Sequence, residues 1–223
     1  MDSHIDRHFD EALEALKQQI RLMALNVESM VADSIRALGQ QDEGLARQVF
    51  DRDHPVNALE VSIDGQCLEL LARHQPAARD LRFITRGLKI ATDLERVGDL
   101  AVNTAERVLE IIGSKQGTPP IDLTEMVQVV QTMLKDAIDA FLTGDEALAT
   151  SVLERDDVVD DHTESQVMNL IERLAREPQS AQNLFPLSSI VRYLERIADH
   201  STNIAEQAIF MIRGLDVRHG QPH

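Results

Sequence analysis

Two segments of the chain occur twice, and this duplication limits the possible folds more than any other feature. DEGLARQVFDRD, from Asp42 to Asp53, matches DEALATSVLERD, from Asp145 to Asp156, at seven of twelve positions. LERVGDLAVNTAE, from Leu94 to Glu106, matches LERIADHSTNIAE, from Leu194 to Glu206, at seven of thirteen, with Val97/Ile197 and Gly98/Ala198 as near-equivalents. Two unrelated amphipathic helices would share only apolar positions. Here charged and amide positions agree as well, so one unit was duplicated. The offset between copies shrinks by three residues from the first match to the second, which places a small deletion in the turns near Gln75-Pro76 and Glu177-Pro178.

Each copy reads as three helices. Phe9, Leu13, Leu16, Ile20, Met23, Val27 and Met30 recur at alternating steps of four and three, and the seam continues through Ile35 to Leu38 with no Pro or Gly before Gly39. Such spacing lays apolar side chains along one stripe of a helix of about thirty residues. Leu123, Val127, Val130, Leu134, Ala137 and Phe141 form a second seam, and Phe83, Gly87, Ile90, Leu94, Val97, Ala101, Thr104, Val108 and Ile111 a third. Long seams of this kind mean helices packed nearly parallel or antiparallel, as in a bundle.

Helix one is expected to end at Gly39 or Gly144. Helix two starts near Asp42 or Asp145, whose carboxylates cap free amides, and stops before Pro76 or Pro178. Helix three ends at Gly113 or Gly214. The expected organisation is all-α, six long helices in two repeats covering residues 1–113 and 123–216. The Gly- and Pro-rich run GSKQGTPPID, Gly113 to Asp122, marks the connector (114–122), and a flexible tail follows at 217–223.

Composition narrows the function. Aromatic residues make up 3 % of the chain and Trp is absent, which favours aliphatic helix packing over strands. A net charge of −16 opposes nucleic acid and anionic membrane surfaces, because both demand clustered Lys and Arg. The lone Cys67 can form neither an intrachain disulfide nor a thiolate cage. MDSHIDRHFDEALEAL lacks the basic region and apolar run of a signal peptide. No segment approaches the roughly 20 apolar residues that span a bilayer. A cytoplasmic protein is expected.

On helix three, Glu95, Asp99, Asn103 and Glu106 fall in one stripe beside the apolar seam, and Glu195, Asp199, Asn203 and Glu206 repeat it. Carboxylates at i, i+4 repel, which costs a helix about 0.2–0.5 kcal/mol. A bound cation would reverse the sign. On helix two, Asp53 and Asn57 have the same spacing, as do Asp156 and Asp160. Oxygens from both helices could surround one hard cation. The opposing reading is a solvated acidic face, compensated by Arg96 and Arg196.

Other residues carry less. His200 and His162 are expected at the surface or behind the ligands. Met23, Met30, Met126, Met133 and Met168 are expected to fill the core, and Cys67 to be a small buried hydrophobe. Arg79, Arg82, Arg86 and Lys89 form a basic patch that could serve a partner or pair with acidic residues. No Gly-rich phosphate loop and no local Ser–His–Asp or Cys–His grouping occurs.

PAARDLRFITRGLKIATDLERVGDLAVNTAE, from Pro76 to Glu106, resembles the signature of the PhoU family, and YLERIADHSTNIAEQAIFMIRG, from Tyr193 to Gly214, resembles it again. The resemblance implies two three-helix bundles related by a pseudo-twofold. It implies that paired E-x-x-x-D motifs bind divalent or trivalent metal ions (iron, manganese, zinc or magnesium) at Glu95, Asp99, Glu195 and Asp199. Asp53, Asn57, Asp156 and Asp160 are secondary candidates, and Asn57 opposite Asp160 points to a weaker first site. It further implies a homodimeric, non-enzymatic negative regulator of phosphate uptake and starvation signalling. The implied partners are the ATPase subunit of the high-affinity phosphate ABC transporter and a phosphate-sensing histidine kinase. Pro186 implies a late start or a kink in the last helix.

Two competing classes remain. A di-metal carboxylate enzyme built on a bundle needs Glu-x-x-His pairs, and no Glu in the chain has a His three residues later. A scaffold acting through protein contacts alone would share the fold without binding metal.

Overall fold

The computed structural model describes residues 2–114 and 121–214, with side chains from residue 7 onward in the first helix. The expected connector is described only at Ser114, Ile121 and Asp122, and the expected tail lies outside the described residues. Among the described residues there is no strand. The first repeat comprises α1 (Asp2–Gln40), α2 (Glu43–Arg73) and α3 (Ala78–Gly113). The second comprises α4 (Thr124–Thr143), α5 (Glu146–Leu153), α6 (Asp156–Arg176), a 3-10 turn at Pro178–Ser180 and α7 (Ala181–Arg213). These are six helical rods, the fifth broken into α5 and α6.

That break has a counterpart. Pro55 lies inside α2 and has no amide hydrogen for the carbonyl of Asp51. The equivalent amide in the second repeat, Val158 N, bonds Arg155 O at 3.2 Å, a three-residue step that interrupts the α-helical ladder. Both repeats therefore lose a helical bond at the same register, one by proline and one by a turn. Just ahead of it, Arg52 Nη1 donates to Asp33 Oδ2 at 2.6 Å, and Arg155 Nη1 donates to Asp136 Oδ2 at 2.7 Å. The duplicated ion pair ties helix two to helix one in each half.

Asp42 Oδ1 accepts from Leu45 N at 2.9 Å and Asp145 Oδ1 from Leu148 N at 3.0 Å, so both caps form as their residue types require. The preceding helix ends differ from expectation. Gly144 takes the left-handed conformation (φ 74°), but Gly39 lies inside α1, and Gln41 makes the turn instead at φ 53°. Asp42 aligns with Asp145, so Gln41 aligns with Gly144. The register of the cap decides where the chain turns, and glycine is only the cheapest residue there. Pro186 does not delay α7, which starts at Ala181; it sits buried in the second turn.

α3 and α7 pack against each other at the centre, with α1 and α2 flanking α3 and α4 to α6 flanking α7. Arg82 meets Met211, Arg86 meets Gln207 and Asp93 meets His200. Each step forward along α3 is matched by an equal step back along α7, so the two run antiparallel. With Leu94 equivalent to Leu194, that register puts the pseudo-twofold between Arg96 and Val97. One continuous core spans both repeats, and Phe83 of α3 stacks on Phe141 of α4 at 4.8 Å.

Met23, Met30, Met126 and Met133 are buried in that core, whereas Met168 is 53 % exposed, contrary to expectation. α6 buries only Val159, Thr163 and Leu170, so its apolar stripe is too narrow to include Met168. Cys67 is buried, and loss of solvent pushes its thiol up to about 12. A thiol reagent should therefore leave Cys67 unmodified in the native protein and label it only on unfolding. Gly144→Ala should destabilise the fold by about 1 kcal/mol or more, because alanine pays the left-handed backbone penalty. Gln41→Gly should show the opposite sign in the same urea titration.

Candidate functional site: two acidic grooves

The first groove lies between α2 and α3. Asp53, Asn57 and Glu60 recur at i, i+4 and i+7 on α2, and Glu95 and Asp99 at i, i+4 on α3. The Glu95 side chain is 19 % exposed and that of Asp99 42 %. Arg96 approaches them only loosely, at 3.6 Å and 3.8 Å respectively. Asp53 Oδ2 accepts from Asn57 Nδ2 at 3.0 Å, and Glu60 Oε1 accepts from Thr92 Oγ1 at 3.2 Å. Asn57 Oδ1 is buried and has no hydrogen-bond partner.

Burial first, and the charges of Asp99, Glu60 and Asp53 after it, push the Glu95 carboxyl above the usual range. Burial and then Asp53 do the same to Asp99. In both, lost hydration and neighbouring negative charge make the ionised form less favourable than it is in water.

The second groove repeats the arrangement between α6 and α7 with Asp156, Asp160, Thr163, Glu195 and Asp199. Burial, then Asp199 and Asp160, raise Glu195. Burial and Asp160 raise Asp199, against smaller lowering by His200 and Arg196. Asp156 is raised by burial, then by Asp160, Asp199, Asp157 and Glu195. Thr163 Oγ1 is buried without a hydrogen-bond partner. The far end of the stripe behaves differently: Glu106 is exposed and pairs with Arg107 at 3.4 Å.

The eight candidate residues thus gather into two grooves, four to each. Sequence reasoning missed Glu60 and Thr163, although their i+7 spacing from Asp53 and Asp156 was readable. Among the described residues, no three His, Cys, Asp or Glu side chains converge closely enough to enclose an ion. The donor chemistry nonetheless fits a hard cation: every group is an oxygen, each groove has one buried neutral oxygen without a partner, and the carboxyls repel one another.

His200 is half-buried between α3 and α7, its Nδ1 2.9 Å from Asp93 Oδ1. No repeat signal could reveal this pair, because the equivalent positions are Tyr193 and Leu100. Within the basic patch, Arg82 and Arg86 reach across to α7. Arg82 Nε donates to Met211 O at 2.9 Å, and Arg86 donates to Gln207 Oε1 at 3.0 Å while covering the Phe210 ring at 3.6 Å. Both hold the C-terminal end of α7, where carbonyls carry partial negative charge.

Fold and grooves define a class of duplicated helical-bundle proteins with an acidic groove in each half. The PhoU domain matches residues 20–108 and 123–208, and the chain belongs to the PhoU family. It is 37 % identical over 97 % of its length to the phosphate-specific transport system accessory protein PhoU homolog of Pseudomonas putida, covering 85 % of that protein. Its identity to PhoU of Escherichia coli K12 is 31 %, over 98 % of this chain and 91 % of that one. The crystal structure of PhoU from Pseudomonas aeruginosa superposes with a TM-score of 0.88 at 37 % identity, covering 92 % of this chain and 99 % of that chain. The phosphate transport system regulatory protein PhoU from Streptococcus pneumoniae gives 0.84 at 27 % identity, covering 92 % and 97 %. No described helix is long and apolar enough to cross a membrane.

The raised carboxyls set a pH dependence. With folded values above unfolded ones, the fold binds more protons than the unfolded chain within that window, so stability falls as pH rises through it. In chelator-treated protein, Glu195→Gln with Asp199→Asn should be neutral or slightly stabilising at pH 7. Its advantage over wild type should shrink as pH is lowered toward 5, measured as melting temperature by circular dichroism.

Proposed function

We propose that this chain is a regulator of phosphate transport that restrains phosphate uptake and the starvation response. It acts between the high-affinity phosphate ABC transporter, through the ATPase subunit, and a phosphate-sensing histidine kinase. The observation that carries this reading is the pair of PhoU domains, supported by relatives named as phosphate transport accessory or regulatory proteins along nearly the whole chain. It works without catalysis, as a cytoplasmic homodimer that presents long helical surfaces. Deleting the gene in its host should raise phosphate-responsive transcription when phosphate is plentiful. Unchanged transcription and unchanged phosphate accumulation would sink the assignment.

Metal binding belongs to the same proposal. A bound divalent or trivalent cation would supply positive charge to the grooves. Glu95, Asp99, Glu195 and Asp199 would hold it, with Asp53, Asn57, Asp156 and Asp160 on the facing helix. These residues join helix two to helix three, so neutralising them draws the two helices together and stiffens each bundle. Such a ligand binds only the folded chain and stabilises it by about 2.7 kcal/mol at a hundredfold excess over its dissociation constant. Melting temperature should therefore climb with added metal, and the climb should shrink in the Glu195→Gln, Asp199→Asn variant. A metal-free scaffold draws support from the splayed carboxylates. Elemental analysis of protein purified without added metal separates the two readings.

A further inference from the structure

Resting on the metal-binding reading above, we propose that the two grooves are charge-equivalent cation sites built from swapped residues. Each supplies four carboxylates and one buried neutral oxygen, with Glu60 completing the first set and Thr163 the second. The facing positions on helix two are 53, 57 and 60 in the first repeat and 156, 160 and 163 in the second, under the offset that aligns Asp42 with Asp145. The first triplet reads Asp, Asn, Glu and the second Asp, Asp, Thr. With Glu95 and Asp99, or Glu195 and Asp199, both grooves reach four carboxylates. The charge absent at Asn57 has moved one turn along to Glu60, so the first groove is not the weaker one.

The neutral member of each set carries the second observation. Asn57 Oδ1 and Thr163 Oγ1 are both buried without a hydrogen-bond partner, and Thr163 is only 7 % exposed. Elsewhere in this fold, several helical threonines give the hydroxyl to a carbonyl one turn back, four residues away for Thr104, Thr132, Thr143 and Thr150 and three for Thr202. Thr163 forgoes that bond, on the helix face it shares with Asp156 and Asp160. An amide or hydroxyl oxygen is a suitable neutral ligand for a hard cation. Glu60 is held at the groove wall by Thr92 of α3. In the empty state like charges keep the carboxylates apart, and a cation gathers them.

The test uses chelator-stripped full-length protein and Mn2+ alone, with free ion counted by its electron paramagnetic resonance signal. In an Glu195→Gln, Asp199→Asn background, which leaves the first groove intact, Glu60→Gln should weaken binding at least tenfold. Asn57→Asp with Glu60→Thr, which transplants the second repeat's pair, should restore it. In a Glu95→Gln, Asp99→Asn background, Thr163→Val should weaken the second groove severalfold. Unchanged binding in Glu60→Gln or Thr163→Val, or a transplant as weak as Glu60→Gln, would overturn the proposal while leaving metal binding itself intact. A wild-type chain that takes up no Mn2+ and gains no melting temperature would overturn both.

Discussion

The antiparallel packing of α3 against α7 is the contact on which the other features depend. Each is the third helix of its repeat, and each buries a long apolar stripe from its first turns to its last. Neither repeat can complete its core alone, because the exposed side of its third helix would stay wet; the other repeat covers it. Arg82 and Arg86 of α3 grip the far end of α7, and Asp93 meets His200 nearer the middle. The pseudo-twofold between Arg96 and Val97 follows from that register. Glu95 and Asp99 stand beside the axis on one flank, and Glu195 and Asp199 on the other.

This placement explains why the acidic stripes are tolerated. A carboxylate inside the α3–α7 interface would have to lose its water entirely, which a helical core cannot offset without a paired charge. On the flank, facing helix two, the same groups are only partly desolvated. Their carboxyls are raised above the usual range, yet remain within reach of solvent. The cost is modest per pair and repeated in both halves. The duplicated chain keeps that cost in both copies, and this is the physical argument behind the metal-responsive regulator proposed above.

Much of the architecture was legible along the chain. The seams of four-and-three spacing marked the buried faces, Asp42 and Asp145 marked helix starts, and the two repeats could be aligned by their charged positions. The four E-x-x-x-D residues and their helix-two partners could be assigned to common faces by angle alone. Misreadings came where a local rule met tertiary context. Gly39 resembled a terminator, but the Asp42 cap moved the turn to Gln41. Met168 fitted a helical stripe that α6 is too weakly packed to bury. Pro186 resembled a late start, although α7 absorbs it within its first turns.

Sequence by itself determined helix content, the duplication and which carboxylates share a face, because these follow from periodicities of a few residues and from side-chain chemistry. Only the tertiary structure decided what faces what. The Arg82 and Arg86 side chains read as part of a basic patch, open to a partner or to acidic residues, and the fold gave them Met211, Gln207 and Phe210 of α7 as contacts. The Asp93–His200 contact joins residues whose repeat equivalents, Tyr193 and Leu100, cannot form a hydrogen bond between their side chains. The unpartnered oxygens of Asn57 and Thr163 appear only once neighbouring helices have excluded water from them. Contacts between distant segments depend on the packing register of whole helices, and no window along the chain contains that register.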